Sequence, residues 1–367
     1  MKWGILRRYD WMSLAPTILL SVLGLVVLYS SAIKSSEVAN QLDTSRQIMY
    51  FGAGLVLMVI MSRLDYRVLK NYSYILYIIM LLLLFAVDVF GATRLGATRW
   101  ISIGFFQFQP SEFAKLCLIV VLANFNAKNY DQSHRLRYTF YSFALLLVPI
   151  GLVMAQPDLG TALVMIFIWL CMAFASRLKK RWFVAFGAVF TTAIPLIVPR
   201  LQPYQRDRLL TFFNPTANPT TTGYNVNQAI IAVGSGGWFG QGLGAGSQSQ
   251  GNFLPSQHTD FIFAVLAEKL GFVGSLLTIG LFLLLVARIL ILAITSLDRF
   301  GSFLAIGIAG MFLFHFFVNI GMNVGLLPVT GIPLPFVSAG GTSMLISMLA
   351  IGVVQSISAH RKKRAIS

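Results

Sequence analysis

The sequence has little charge and few side chains that bind metals or form disulfides. Charged residues make up only 11% of the 367 residues, against 57% hydrophobic residues, and there are 4 histidines and 2 cysteines. Cys117 and Cys171 lie in apolar segments with no partner pattern, so we interpret them as core residues. No His/Cys spacing resembles a protein-built metal site. This composition excludes a soluble chain of two or three domains and predicts one domain dissolved in lipid.

Long apolar runs recur along the chain, and each is long enough for a helix to cross about 30 Å of hydrocarbon. We therefore predict an all-α, polytopic integral membrane protein of about ten transmembrane helices, with residues 1–367 forming one transmembrane domain. The predicted segments are 14–33, 47–62, 72–90, 111–127, 139–155, 158–176, 182–198, 260–295, 300–323 and 342–358. The first run lacks a clear cleavage site for a signal peptide, so we interpret it as retained. The eighth is too long for one crossing and contains Lys269, Gly271 and Gly274, which predicts a break.

The net charge of +16 is explained by where the charges lie. With the N-terminus inside, most Lys and Arg residues fall in the tails and inner loops, which places both termini in the cytoplasm by the positive-inside rule. The basic tail 359–367 is then a topology anchor, with contact to anionic membrane lipids as the lesser alternative. This distribution argues against a nucleic-acid partner.

An outer segment of about residues 199–259 connects the seventh and eighth helices and is far longer than a turn requires. It contains no Lys, Arg, Asp or Glu between Arg208 and Asp260, and glycines recur from Gly234 to Gly251. Its apolar and aromatic residues predict that it folds back onto the helices. The glycine pattern lacks the strand and Lys-Ser/Thr context of a nucleotide site, and backbone N–H groups lining a groove for sugar or diphosphate remain an alternative.

Three predicted helices begin on the outer side with an acid: Glu112, Asp158 and Asp260. An acid in the first turn is an ordinary start signal, so each could be a structural cap, and this is the favoured interpretation for Asp158. Glu112 and Lys115 are three residues apart on one helical face and can pair. At membrane depth such a pair either stabilises the helices or serves function, and both alternatives stay open.

Asp260 is the sharper candidate, because it is the first acid after a long uncharged segment and stands at the start of an apolar helix. It could be a cap. In a polar groove, partial burial would raise its proton affinity and suit a general base. Glu268 is a poor acid/base companion on an unbroken helix, since eight residues correspond to about 12 Å of rise and about 80° of rotation.

Several strings resemble the SEDS family (shape, elongation, division and sporulation), most closely its rod-shape members, over nearly the whole chain. The strings are GATRWI at 96–101, FQPSEFAK at 108–115, AQPDLGT at 155–161, YQRDRL at 204–209, IAVGSGG within 224–237, LPSQHTDFIFAVLAEKLGFVG within 253–274 and VNIGMNVGLLPVTGIPLPFVSAGG at 318–341. The chain departs from the family pattern at Ser256 and Lys269, where Glu is frequent, and at Ala339, where an aromatic residue is common. Asp260 and Glu268 match the pattern.

The resemblance implies a peptidoglycan glycosyltransferase of the bacterial inner (plasma) membrane. It would polymerise lipid II into β1,4-linked glycan on the outer side, for cell elongation and rod shape, with a class B penicillin-binding protein as partner. By this analogy Asp260 removes the proton from the attacking sugar hydroxyl, and undecaprenyl diphosphate leaves. Arg99, Lys115 or Arg206 would bind the diphosphate, since guanidinium and ammonium groups suit phosphate oxygens.

The predicted site thus has Asp260 as catalytic residue. The predicted substrate-binding residues are Arg99, Glu112, Lys115, Asp158, Arg206 and Glu268. The resemblance also implies a divalent cation, Mg²⁺ or Mn²⁺, whose ligands the sequence does not identify, and no organic cofactor.

Two other functions fit a ten-helix protein with charges at membrane depth. One is a transporter (flippase) of the lipid-linked precursor, and the other is a non-catalytic scaffold of the elongation machinery. A transporter should have two halves with matching breaks, whereas the long loop and the Asp260 motif occur only in the C-terminal half. The Gln-Pro-acid helix starts at 109 and 156 are a weak sign of repetition. The confinement of the long loop and the Asp260 motif to one half favours chemistry at the outer surface over transport.

Overall fold

The computed structural model describes residues 9–32, 38–94, 97–103, 106–197, 202–213, 222–251, 253–254 and 256–360. In these residues ten helices are at least 17 residues long, which agrees with the predicted number. They are α1 (Trp11–Ala32), α2 (Val38–Arg63), α4 (Ser73–Phe90), α5 (Pro110–Lys128), α6 (Leu136–Ala155), α7 (Leu159–Ala175), α8 (Lys180–Ile197), α12 (Ile262–Ile294), α13 (Arg299–Asn323) and α14 (Gly341–Ala359). Shorter helices are α3 (Arg67–Asn71), α9 (Pro203–Phe213), α10 (Thr222–Ser235) and α11 (Ser247–Gln250), with a 3₁₀ turn at Tyr130–Gln132.

Among the described residues, length and hydropathy together identify six helices that can cross a membrane: Trp11–Ser31, Thr44–Arg63, Leu136–Ala155, Ile262–Ile294, Arg299–Asn323 and Gly341–Ala359. Two more apolar helices are shorter, Ser73–Val89 and Leu159–Ala175. α5 is more polar and lies at the centre, packed against α4, α7 and α13, with most of its residues buried. On α4, Ile75, Ile78, Leu82 and Phe85 form an exposed apolar stripe at helical spacing, which suits lipid rather than water. The polytopic all-α membrane fold is confirmed.

A small antiparallel sheet lies between α4 and α5 and was not predicted. Its strands are β1 (Ala92–Arg94), β2 (Ala97–Ile103) and β3 (Phe106–Phe108), paired in the order β1-β2-β3. β2 carries Arg99 to the start of α7, where its guanidinium donates to the carbonyl of Gln156 at 3.3 Å.

The predicted outer segment folds back as expected in its described part. α10 packs on α12 and α13, and its residues Ala229 and Ala232 are fully buried. Residues 198–201, 214–221, 252 and 255 of this region lie outside the described residues, as do 361–367 of the basic tail.

α12 is interrupted at Gly271, whose φ of 67° and ψ of −163° are not helical. The segment before the break, Ile262–Leu270, rises only about 13 Å, whereas Phe272–Ile294 is long enough to cross the hydrocarbon. Residues 237–242 occupy the gap and satisfy the backbone groups that the break leaves unpaired. The bonds are Gln241 N to Glu268 O, Gly242 N to Lys269 O, Phe272 N to Gly237 O and Val273 N to Trp238 O. The predicted break is therefore an insertion of the outer segment into a membrane helix.

Replacing Gly271 with Ala should destabilise the protein by about 2 kcal/mol, because the site demands a positive φ and leaves no room for a methyl group. An added Cβ would lie 2.3 Å from Gly240 N and 2.7 Å from Phe239 N. Thermal unfolding in detergent measures the effect. Gly280→Ala on the same helix is the matched control, since an added Cβ there meets nothing within 4 Å. Equal midpoints for the two variants would contradict the proposed role of the break.

Candidate active site

Asp260 lies in the turn that precedes α12, and its side chain is half-buried. The backbone before Asp260 is held by hydrogen bonds from residues in the C-terminal part of the chain. Ala339 N donates to the carbonyl of His258 at 2.8 Å, and Ser338 Oγ donates to the carbonyl of Thr259 at 2.7 Å. The chain path to Asp260 is thus set by contacts with residues that are distant in sequence.

A glycine separates Asp260 from an arginine. A Cβ atom added to Gly331 would lie 3.5 Å from Asp260 Oδ2 and 3.3 Å from Arg208 Nη1. Gly331 also has a φ of 72°, which favours glycine. The carboxylate of Asp260 and the guanidinium of Arg208 therefore flank the space where any other residue would place its side chain.

Arg99 supplies a second cation. Its guanidinium donates to the carbonyls of Gln156 and Pro157, and its Nη1 lies 3.9 Å from Asp158 Oδ1. A cavity of about 70 Å³ lies between the two arginines and is lined by Arg99, Pro157, Leu159, Leu163, Gln205, Arg208, Leu209, Pro328, Val329 and Thr330. Arg208 thus lies between this cavity and the acid that precedes α12.

The pKa of Asp260 is raised above the ordinary value of an aspartate. Burial is the largest cause, because it disfavours the charged form. Arg208, the hydroxyl of Thr259 and Arg99 act in the opposite direction and lower it. The result is a carboxylate with increased proton affinity that is still held beside positive charge, which is the condition a general base needs.

Asp158 is the N-cap of α7. Its Oδ1 accepts from Thr161 N at 3.2 Å, and its Oδ2 accepts from Thr161 Oγ1 at 2.8 Å and from Ser111 Oγ at 3.4 Å. These contacts agree with the cap that we favoured for it. They also place Asp158 beside Arg99, where it orients the guanidinium.

Glu112 and Lys115 form the predicted ion pair, at 2.7 Å, with Lys115 only 1% exposed. Lys115 Nζ also lies 2.8 Å from His315 Nε2, a contact 200 residues away in sequence. The pair is thus enclosed by protein groups. The structure adds His315 as a partner and gives Lys115 no open side toward a ligand.

Glu268 is fully buried and accepts from the backbone N–H groups of Gln248 at 2.8 Å and Ser249 at 3.0 Å. It therefore holds α11 in place. Because the break in α12 comes after Glu268, Asp260 and Glu268 stay on one continuous stretch of chain, and the structure does not bring the two carboxylates together as an acid/base pair.

Arg206 is exposed, and the residue that faces Asp260 is Arg208, which sequence reasoning missed. Gln205, Arg208 and Leu209 line the cavity at helical spacing i, i+3 and i+4, whereas Arg206 points away from it. The periodicity of α9 is the signal that could have selected Arg208.

The described residues contain no group of three or more His, Cys, Asp or Glu side chains that could hold a metal ion. Around the site, the carboxylates of Asp158 and Glu268 accept from protein donors. This donor set does not fit a protein-built divalent cation site. The cation remains a prediction of the resemblance.

Comparisons with known proteins agree with this architecture. A family profile described as "Cell cycle protein" (FTSW_RODA_SPOVE) matches residues 10–363. Peptidoglycan glycosyltransferase MrdB of Escherichia coli K12 is 40% identical over 96% of both chains. Peptidoglycan glycosyltransferase RodA of Treponema pallidum is 33% identical, over 96% of this chain and 98% of its own.

Two solved structures share the fold. One, described as "Structural coordination of polymerization and crosslinking by a peptidoglycan synthase complex", has a TM-score of 0.81 at 32% identity and covers 95% of this chain and 97% of its own. The Thermus thermophilus rod shape determining protein RodA has a TM-score of 0.71 at 31% identity and covers 97% of this chain and 98% of its own.

Fold and site together define a multi-pass membrane protein in which two arginines line a cavity and one of them, Arg208, lies across Gly331 from an acid, Asp260. The chain belongs to the SEDS family, the family of FtsW, RodA and SpoVE, as the sequence strings predicted.

Proposed function

We propose that the protein is a peptidoglycan glycosyltransferase that polymerises lipid II into β1,4-linked glycan strands, with Asp260 as general base, in cell elongation and rod shape. The observation that carries this proposal is the placement of the half-buried Asp260 carboxylate beside Arg208 and Arg99. Relatives over nearly the full chain are named peptidoglycan glycosyltransferases, which supports the reaction class.

The reaction needs one base and a stabilised leaving group. The 4-hydroxyl oxygen of the acceptor N-acetylglucosamine attacks the anomeric carbon of the donor N-acetylmuramic acid, and Asp260 takes the hydroxyl proton. The bond from the anomeric carbon to the diphosphate oxygen breaks, and undecaprenyl diphosphate leaves with the electron pair. A single displacement turns an α-linked diphosphate into a β1,4 bond, so no enzyme nucleophile is required. Diphosphate also leaves without a second carboxylic acid, unlike the leaving group of a glycosidase.

Arg208 and Arg99 are suited to the diphosphate because their guanidinium groups donate in a fixed fork to phosphate oxygens. Negative charge grows on the bridging oxygen as the bond breaks. Fixed cations in a site shielded from water stabilise this charge more strongly than water does. We therefore place the diphosphate in the cavity between the two arginines, and we propose Arg208 in place of Arg206 for this role.

The proposed location is the bacterial inner (plasma) membrane, with both termini in the cytoplasm and Asp260 on the extracytoplasmic side. The ends of the helices opposite the Asp260 site carry many cations, including Arg63, Lys70, Lys128 and Arg299. The positive-inside rule assigns that end to the cytoplasm. A class B penicillin-binding protein is the proposed partner, supported by the similarity to a peptidoglycan synthase complex.

The transporter alternative predicts interrupted helices in corresponding positions of two halves. Among the described helices the non-helical residue lies in α12, in the C-terminal half, and the outer segment fills the gap there. This asymmetry favours chemistry at one face over transport through the middle.

Reconstitution separates the hypotheses. The purified chain, alone and with its candidate partner, is placed in vesicles with lipid II, and glycan polymer and lipid translocation are both measured. Polymer formation is the expected result. Translocation without polymer would support the flippase, and neither activity with the partner present would support the scaffold.

The rate of polymerisation should fall at acid pH, because Asp260 must be deprotonated to accept a proton. The raised pKa of Asp260 moves this fall to a higher pH than an ordinary aspartate, near pH 4, would give. Initial rates at saturating lipid II between pH 4.5 and 8 measure it. A rate that stays constant down to pH 4.5 would contradict the raised pKa of Asp260.

A further inference from the structure

One face of α13 carries three buried polar residues at four-residue spacing: His315, Asn319 and Asn323. They lie one above the other on a helix. Buried polar groups at membrane depth are costly unless they are hydrogen-bonded, so their partners indicate what they do. We call these three residues the α13 ladder.

The ladder bonds to the backbone around the proposed base. Asn319 Nδ2 donates to the carbonyls of Asp260 at 3.1 Å and Ile332 at 2.8 Å. His315 Nδ1 lies 3.0 Å from the carbonyl of Pro333, so this nitrogen carries the proton and Nε2 can accept from Lys115. Ile332 directly follows Gly331, the residue that Asp260 and Arg208 flank. The ladder therefore holds the backbone of Asp260 and the segment that follows Gly331.

Asn323 has the most specific role. Its Nδ2 donates to the carbonyl of Asp260 at 3.0 Å, and its Oδ1 accepts from Ala264 N at 3.0 Å. In a regular helix the N–H of residue 264 would bond to the carbonyl of residue 260 directly. The carboxamide is thus inserted into that hydrogen bond, as a peptide group would be, and Ala264 N shares its hydrogen with the carbonyl of Phe261 at 3.1 Å. An inserted side chain displaces the helix start.

We propose that Asn323, supported by Asn319, is a positioning residue for Asp260. The inserted amide holds Asp260 outside the first turn of α12 and fixes its backbone, so that the carboxylate stays opposite Arg208 across Gly331. Both halves of the amide are needed, because a carbonyl accepts only and an N–H donates only. This inference rests on the proposed role of Asp260 as base.

If Asp260 is held less firmly, kcat should fall more than KM rises, because Asp260 acts on the chemical step. In Asn323→Leu the turnover number kcat of polymerisation should fall about 100-fold, the effect expected for a misplacement of about 1 Å, while KM for lipid II changes less than about threefold. Asn323→Asp keeps the shape and the acceptor but loses the donor, so its kcat should also fall about 100-fold. Asn319→Ala removes one of the two donors to the carbonyl of Asp260, and its kcat should fall about 10-fold.

The test compares these variants with Asn126→Leu in the full chain with its partner in vesicles. Asn126 is an equally buried asparagine that accepts from Tyr138 at 2.7 Å and lies outside the site. Hydrogen exchange of residues 258–266, measured on monodisperse protein, reports the loss of the inserted amide independently of activity. We expect faster exchange in Asn323→Leu and Asn323→Asp and unchanged exchange in Asn126→Leu.

Two results would overturn the inference in distinguishable ways. If Asn323→Leu and Asn126→Leu have equal kcat and equal exchange, while Asp260→Asn is inactive, the positioning role is wrong and the proposed function stands. If Asp260→Asn polymerises lipid II at the wild-type rate, the base assignment and the positioning role are both wrong.

Discussion

Replacing Asp260 with Asn is expected to reduce the rate of glycan polymerisation about 1,000-fold, within the range that general base catalysis contributes. The amide has nearly the same shape as the carboxylate but cannot take the hydroxyl proton. The backbone contacts of Asp260 with Asn319 and Asn323 are unchanged by this substitution, so the protein should remain folded. Single-turnover formation of β1,4 bonds from lipid II in vesicles measures the chemical step.

Asp298→Asn is the matched control. Asp298 is the N-cap of α13 at the opposite end of the helices, where its Oδ1 accepts from Gly301 N at 2.7 Å. Asparagine also caps helices well, so stability and polymerisation should both stay close to wild type. A comparable loss of activity in both variants would mean that the effect of Asp260→Asn comes from a general loss of carboxylate charge. Polymerisation by Asp260→Asn within about twofold of wild type would refute the base.

Replacing Arg208 with Gln is expected to slow polymerisation about 100-fold, because the fixed charge that stabilises the departing diphosphate is lost. In the same variant the loss of rate at acid pH should occur at a higher pH than in the wild type, since Arg208 lowers the pKa of Asp260. Arg208→Lys should recover only part of the rate, because an ammonium cannot donate two parallel bonds to a phosphate. Initial rates over pH 5–8 measure both effects.

Arg206→Gln is the control for Arg208→Gln. The two residues lie on the same helix and lose the same charge, but Arg206 is exposed and Arg208 lines the cavity. We expect polymerisation to slow in Arg208→Gln and to stay close to the wild-type rate in Arg206→Gln. If both substitutions slow the reaction equally, long-range attraction of an anionic lipid would explain the data better than contact with the diphosphate.

The membrane architecture could be predicted because the lipid solvent imposes it locally. Every backbone polar group must be satisfied within a spanning segment, so each long apolar run becomes a helix without information from the rest of the chain. The break at Gly271 could also be predicted, since a 33-residue apolar helix with glycines inside is longer than one crossing of the membrane requires. The motif strings likewise predicted the family. The β1-β2-β3 sheet escaped prediction because its strands are short.

The acid could also be predicted, since Asp260 follows a long uncharged segment and stands at a helix start. Its partners could not. Arg208, Gly331 and Asn323 come from three separate parts of the chain, and only the tertiary fold brings them close to Asp260.

Lys115 shows the same limit. Its pairing with Glu112 follows from helical spacing, whereas its contact with His315, 200 residues away, depends on how α5 and α13 pack. Spacing along one helix defines which side chains share a face, so neighbours three or four residues apart can be read from the sequence. It does not define what another helix places opposite that face. The position of the acid was therefore encoded locally, while the groups that tune and aim it were settled by tertiary packing.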